Sequence, residues 1–404
     1  GMPGPVFVAI PHDLLREECE SRRYSSEEYR VSAKPRPDPG ALARAVSLIL
    51  DAEKPAIIAG NLTLVYDASE ELSQFASLLS IPVTPASYTP RSIIPTDHPS
   101  YLWEKKDVDD ADILLVVGTN MMDFAEELFW SKVAESAKII QIEPDPIQIA
   151  KVYPAHIGIV ANPKDALKEM MEMAKSSLTG TRRLIVERRA VQLKEKREKF
   201  LEGRWPTSDW DAIPIRPWRL IKDIRESLDR NAIIAHDSGS FSTSWIRRCF
   251  DFYEPKTDYA CMGGVMGFGL PGALGVKLAK SHRQVINIEG DGSFMMVWSA
   301  LDTAANYEIP ITIIINNNSA FMQIKRQLRP PYLGVDLKNP DFAKVAQLFG
   351  IYAERVENPA GLKAALERAM EKNRQGKPAL IDVITTNDPM YANPEIYFGK
   401  KSLA

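Results

Sequence analysis

Residues 284–293 read QVINIEGDGS, and residues 311–318 read ITIIINNN. Each is a short apolar run rich in β-branched residues that stops abruptly at a polar cluster. That is the pattern of a strand buried on both faces in a parallel sheet. Trp298–Tyr307 lies between them and reads as a helix. Successive strands of a parallel sheet carry their C-terminal ends to one edge, so Asp291 and Asn318 are expected to converge at a crevice of the kind where such sheets bind ligands. A carboxylate and an amide oxygen are hard donors suited to Mg²⁺, which is held by few protein groups and shared phosphate oxygens. Gly290 and Gly292 let backbone approach closely, and the N–H groups of Gly292 and Ser293 open a helix that would attract a diphosphate. The two clusters together describe a site for a metal-bridged diphosphate.

The same alternation extends outward in both directions. Pro55–Ala59, Pro82–Thr84, Asp112–Val117 and Lys138–Glu143 read as strands, with helices at Ala41–Asp51 and Glu70–Leu79. A second series has strands at Ala232–Ala235, Gln284–Ile288, Ile311–Ile315 and Ala379–Ile384, with helices at Gly272–Ala279, Pro340–Leu348 and Pro359–Lys372. The fold class is therefore α/β, two doubly wound parallel-sheet domains. The expected divisions are a leading segment 1–39, a Rossmann-like domain 40–178, a linker helix with a Trp/Pro segment 179–217, a diphosphate-binding domain 218–388 and a tail 389–404. Val6–Ile10 (VFVAI) has a buried-strand pattern, and Arg16–Pro39 reads as extended linker. The charge-dense Arg182–Phe200 reads as a solvated connecting helix.

Composition removes several functions. The 404 residues hold 50 Lys and Arg against 53 Asp and Glu, for a net charge of −3, so the overall field favours neither nucleic acid nor an anionic membrane. No run approaches the roughly 20 apolar residues that span a bilayer, and the N-terminus has no signal-peptide pattern. Cys19, Cys249 and Cys261 form no CxxC pair, and His12, His98, His156, His236 and His282 never pair at zinc-ligand spacing. The cysteine usage points to a reducing, cytoplasmic setting. A nicotinamide oxidoreductase is disfavoured because no strand ends in GxGxxG with an acidic residue about 20 positions on.

GDGS followed, after 24 residues between Gly292 and Asn317, by Asn317-Asn318 resembles the cofactor motif of the thiamine diphosphate (ThDP) enzymes, the acetolactate synthases, benzoylformate decarboxylases and related carboligases. Gly263–Gly275 (GGVMGFGLPGALG), Asp341–Gly350, Pro378–Val383 and Lys138–Pro146 (KIIQIEPDP) are similar to other parts of that family, so the resemblance covers nearly the whole chain. It implies ThDP and Mg²⁺ as cofactors and a 2-keto acid as substrate, which loses CO₂ before protonation or joining to a second carbonyl. Asp291, Asn318 and the Ala320 carbonyl would hold Mg²⁺. Ser240, Gly292 and Ser293 would contact the diphosphate, and Phe321 belongs to the cofactor-binding set. The Gly264 carbonyl would face the aminopyrimidine, with Met266 as the apolar wedge that keeps the cofactor bent.

In this family a pyrimidine-binding domain supplies the glutamate that activates the cofactor, and GPVFVAIPHDL (Gly4–Leu14) resembles the end of that domain. On this reading no catalytic residue lies in the 404 residues. The partner is a pyrimidine-domain chain or another copy, and the isolated chain is expected to be inert. A non-catalytic ThDP-binding or assembly subunit is the alternative. Glu289 precedes the diphosphate loop, at the cofactor's other end, and is expected to be a strand-end acid facing solvent. Met322, Gln323 and Gln327 stand where an acetolactate synthase carries Gly, Met and Trp, which leaves the substrate open. Only a short charged linker joins His98 to Ala111, where flavin-binding members carry a longer glycine-bearing segment, so no FAD is expected.

Overall fold

The computed structural model describes residues 4–29, 35–86, 90–103, 108–121, 135–260, 264–394 and 397–398. Cys261, Gly263 and part of the His98–Ala111 linker lie outside the described residues. The first sheet contains β1 (Pro55–Ala59), β2 (Val83–Pro85), β3 (Ile113–Val117), β4 (Lys138–Glu143) and β5 (Ile157–Val160), in the order β2-β1-β3-β4-β5. All its pairs are parallel. Helix Pro39–Asp51 starts where the Asp38 carboxylate accepts the Ala41 N–H at 2.7 Å and Pro39 presets the first turn. Its Leu42, Val46 and Ile49 lie on one face and pack on Ile57, Leu115 and Ile140 of the sheet. The opposite sheet face, with Ile58, Leu114 and Val116, is covered by Leu102, Val108 and Leu193.

Leu193 belongs to helix Thr181–Glu202, and the expectation of a solvated helix needs correcting. Val186, Arg189, Leu193 and Phe200 form a narrow buried stripe along it. Phe200 stacks on Trp103 with ring centroids 4.6 Å apart. Arg189 is 4 % exposed, and its guanidinium donates to the carbonyls of Ile49 (2.8 Å), Leu50 (3.1 Å) and Ala52, at the end of helix Pro39–Asp51. A cation at a helix C-terminus satisfies carbonyls that have no partner within the helix. The high charge density of the sequence concealed that stripe.

The second sheet contains β6 (Ile233–His236), β7 (Asp258–Ala260), β8 (Val285–Gly290), β9 (Thr312–Asn317), β10 (Tyr352–Val356) and β11 (Ala379–Ile384), in the order β10-β11-β9-β8-β6-β7. It too is parallel throughout. Ile286, Ile288 and Ile314 join one core with Trp218 and Trp245, while Ile313 and Ile315 join a second with Phe294 and Phe342. From β6 the chain runs outward to β7 and returns on the other side as β8. The topological switch point therefore lies between β6 and β8.

The buried strand expected at Val6–Ile10 does not form. Gly4–Ile10 is irregular, and Val6 and Phe7 are 87 % and 89 % exposed. A strand needs a hydrogen-bonding neighbour, and among the described residues no strand pairs with this segment. The two sheets meet through the turn Arg91–Ile93. The Arg91 N–H donates to Asp258 Oδ2 (2.5 Å), and Ser92 Oγ accepts the N–H groups of Thr257 and Asp258, both at 3.1 Å. Asp258 Oδ1 also meets His236 Nε2 at 3.0 Å. Among the described residues no helix is long and apolar enough to cross a membrane.

Candidate functional site

β8 ends at Gly290, whose extended backbone (φ −81°, ψ 153°) turns the chain into helix Asp291–Val297. Asp291 is 2 % exposed at the mouth of the switch point. Its Oδ1 accepts the Gly292 N–H at 3.0 Å and its Oδ2 accepts the Asn339 amide at 2.7 Å. The backbone N–H groups of Ser319 and Ala320 also face it. Burial pushes its pKa up to about 6 against the pull of these donors.

β9 delivers the second cluster to the same point. Asn318 Oδ1 accepts the Ala320 N–H at 3.0 Å, a turn made possible by Ser319 at φ +54°. Asp291 and Asn318 thus meet at one backbone amide, that of Ala320. The chain then doubles back. Phe321 N–H donates to the Val335 carbonyl and Leu337 N–H to the Ser319 carbonyl, both at 2.8 Å. The Ala320 carbonyl itself accepts the Met322 N–H at 2.8 Å. This hairpin lays Phe321 across the glycine loop. A Cβ on Gly292 would stand 2.5 Å from the Phe321 ring, so the loop has room for backbone and nothing more.

On the β6 side, Ser240 is buried just after Gly239, which adopts φ +140°. Ser240 and Asn318 line one small open cleft with Thr385, Thr386 and Tyr391. The glycine-rich segment lies across the other flank. Gly264 (φ +73°) is exposed, Met266 is half-buried, and Gly267 (φ +92°) rests against Val297 of the helix after the glycine loop. The structure therefore brings Ser240, Gly292, Ser293, Asp291, Asn318, Ala320 and Phe321 around the switch point. It sets Gly264 and Met266 on a loop beside it.

Three positions that brace the crevice escaped the sequence. Asp237 Oδ2 accepts the N–H groups of Gly267 (2.9 Å) and Gly269 (2.7 Å), and Oδ1 accepts that of Ser238 (2.6 Å). It ties the glycine-rich loop to the Ser240 turn. Asn339 reaches Asp291 as described, and Asp382 accepts the Asn317 amide at 2.9 Å. The only local signal was Asp237's place at the end of a predicted strand.

Glu289 is the clear correction. It is 1 % exposed, not solvent-facing. β8 is flanked by β6 and β9, and its Asn287–Glu289 face is roofed by helix Gly269–Ala279. Burial, with the charge of Asp237, holds the Glu289 carboxyl well above the usual carboxylate range.

Comparison with known proteins adds the family. Residues 237–383 match the model of the thiamine pyrophosphate enzyme C-terminal TPP-binding domain, and residues 42–170 match the central domain of the same enzymes. A probable acetolactate synthase large subunit of Methanocaldococcus jannaschii is 32% identical over 98% of this chain and 68% of its own length. The chain belongs to the thiamine pyrophosphate enzyme family. A probable acetolactate synthase large subunit of Methanococcus aeolicus is 30% identical over 95% of the chain and 67% of its own length. The acetolactate synthase isozyme 3 large subunit of Escherichia coli K12 is 25% identical over 95% and 69%. Within the TPP-binding match lie Asp237, Asp291, Asn318 and Asp382, so the switch-point crevice belongs to the cofactor-binding part of a thiamine pyrophosphate enzyme.

The donor set fits a divalent ion and a diphosphate. Among the described residues no group of three or more His, Cys, Asp or Glu could hold a metal, so any ion here depends on one carboxylate with amide and carbonyl oxygens. That is the ligation a phosphate-bridged Mg²⁺ uses. A carboxylate 2 % exposed and faced by neutral N–H groups gains from a cation.

Proposed function

We propose that this chain is the ThDP- and Mg²⁺-binding component of an acetolactate synthase-like 2-keto acid decarboxylase or carboligase. The observation that carries the reading is the meeting of Asp291 and Asn318 at the Ala320 N–H, at the mouth of the switch point. Asp291, the Asn318 amide oxygen and the Ala320 carbonyl hold the ion. Ser240, Gly292, Ser293 and Phe321 seat the diphosphate, and the Gly292–Phe321 contact fixes how closely backbone approaches it. Gly264 and Met266 face the pyrimidine end, on the loop that Asp237 holds. Bound ThDP supplies an electron sink for the carbanion left by decarboxylation.

Both carboxylates beside the glycine-rich loop among the described residues are buried and engaged: Glu289 is sealed beneath Gly269, and Asp237 accepts three backbone N–H groups. On this reading the activating acid is supplied by a pyrimidine-binding domain outside the described residues. The hairpin bearing Met322, Gln323 and Gln327 faces the substrate, and the first sheet works without flavin. Calorimetric titration with ThDP and Mg²⁺ tests the site. Asp291→Ala is expected to weaken Mg²⁺-dependent ThDP binding at least tenfold, about 1.4 kcal/mol. Equal affinity in the two proteins would sink the assignment.

A further inference from the structure

Behind Asp291 runs a line of buried side-chain hydrogen bonds that reaches the far side of β11. Asn339 Nδ2 donates both to Asp291 Oδ2 (2.7 Å) and to Asn317 Oδ1 (2.9 Å). Asn317 Nδ2 donates to Asp382 Oδ1 at 2.9 Å. Asp382 Oδ2 in turn accepts the Phe342 N–H at 3.3 Å and lies 3.6 Å from the Arg355 guanidinium. Asn317 is 2 % exposed and Asp382 is fully buried.

The two ends of this line are carboxylates, which when ionised only accept, and the two middle members are amides, which both donate and accept. That chemistry dictates the direction. Asp382 obliges Asn317 to turn its NH₂ toward it, which presents the Asn317 oxygen to Asn339. Asn339 must then donate, and the other hydrogen of the same NH₂ meets Asp291. We infer that Asn339 and Asp382 are positioning residues for the metal carboxylate: Asn339 aims Asp291, and Asp382, which touches neither ion nor cofactor, sets the orientation of both amides between them.

The inference rests on the reading of Asp291 as a metal ligand, and one substitution isolates it. In Asp382→Asn the Phe342 N–H and Arg355 hold the new oxygen on their side, so the new NH₂ confronts the Asn317 NH₂. Asn317 then turns over, Asn339 follows, and an oxygen faces Asp291 where a donor stood. Exchanging the pair, as Asn317→Asp with Asp382→Asn, restores an acceptor toward Asn339 and so restores the original direction.

Mn²⁺ serves as the probe, its binding to the 404-residue chain with ThDP read by electron paramagnetic resonance. Affinity is expected to fall about tenfold or more in Asp382→Asn and in Asn339→Ala, as for other residues that orient metal ligands, and to recover within about threefold in the exchanged pair. Far-UV circular dichroism and thermal melting establish that each variant is folded, and Asn339→Ala decides the matter if Asp382→Asn is not. Wild-type affinity in the folded single variants, or no recovery in the exchanged pair, overturns the inference. Asp291→Asn separates the two levels. If it too binds Mn²⁺ like the wild type, the metal reading fails and the inference falls with it. If it alone loses Mn²⁺, only the positioning role fails.

Discussion

Gly269 and Glu289 share one space: a Cβ on Gly269 would lie 2.4 Å from Glu289 Oε1, and 2.9 Å from the Asn287 amide. The buried acid exists because the helix above it begins with a residue that has no side chain. Gly269→Ala should therefore force the carboxyl group, the Asn287 amide or the Asp237 loop to shift. The expected cost is about 1–3 kcal/mol of stability, the usual range for overpacking a filled site. Urea denaturation measures it, and a variant as stable as the wild type would show that the roof yields freely.

Glu143 ends β4 in the first sheet and is 1 % exposed. Burial, reinforced by the nearby Asp145 charge, pushes its pKa from 4.5 up to about 7. Below pH 4.5 the folded and unfolded chains both keep the proton, and the group costs nothing. As pH rises toward 7 only the unfolded chain releases it, so the folded state loses stability relative to the unfolded one. Glu143→Gln should leave stability unchanged near pH 4 and raise it near pH 8 by roughly 3.5 kcal/mol, at about 1.4 kcal/mol per pKa unit. Denaturant melts at the two pH values give the comparison.

Arg189 closes the ends of neighbouring helices with one guanidinium. Its NH1 also reaches the Leu79 carbonyl at 3.5 Å, so removal leaves carbonyls of two helices without their donor. Arg189→Met preserves the length and packing of the side chain but none of the donors. A loss of about 3 kcal/mol or more is expected, because each buried group left unsatisfied costs roughly 1–3 kcal/mol. Helix Thr181–Glu202 should also become accessible to limited proteolysis before the second sheet does. Simultaneous cleavage of both would contradict this.

The purified protein is expected to be colourless. Acid or heat denaturation followed by fluorescence of the supernatant is the check, and release of a flavin would refute the flavin-free reading of the first sheet.

What could be read from the sequence, and what could not, follows from how far apart the deciding atoms lie along the chain. Ile313–Ile315 and Ile286–Ile288 are legible because a run of β-branched residues ending at glycine or asparagine carries its own strand signal. Asp291 and Asn318 follow from them, since parallel strands deliver their ends together. Glu289 defied the same logic because its burial depends on an absent side chain at Gly269, in a different helix. Asp237 accepts backbone N–H groups 30 and 32 residues away, and Asn339 donates to the Asp291 carboxylate 48 residues away and to the Asn317 amide oxygen 22 away, and little in the sequence around either marks that. Val6–Ile10 has the composition of a strand, but strand formation is a property of pairs.

The seam between the two sheets has a consequence for grafting. Ser92 Oγ and the Asp258 carboxylate each meet main-chain N–H groups across it, so recognition needs a particular side chain on one side and only an available amide on the other. A chimaera that takes its first sheet from a relative must bring a hydroxyl to position 92. Position 91 cannot be proline, which has no N–H to offer, and its buried side chain restricts it further. Because Asp258 also holds His236, immediately before Asp237, a poorly matched donor would be felt at the glycine loop as well as at the junction.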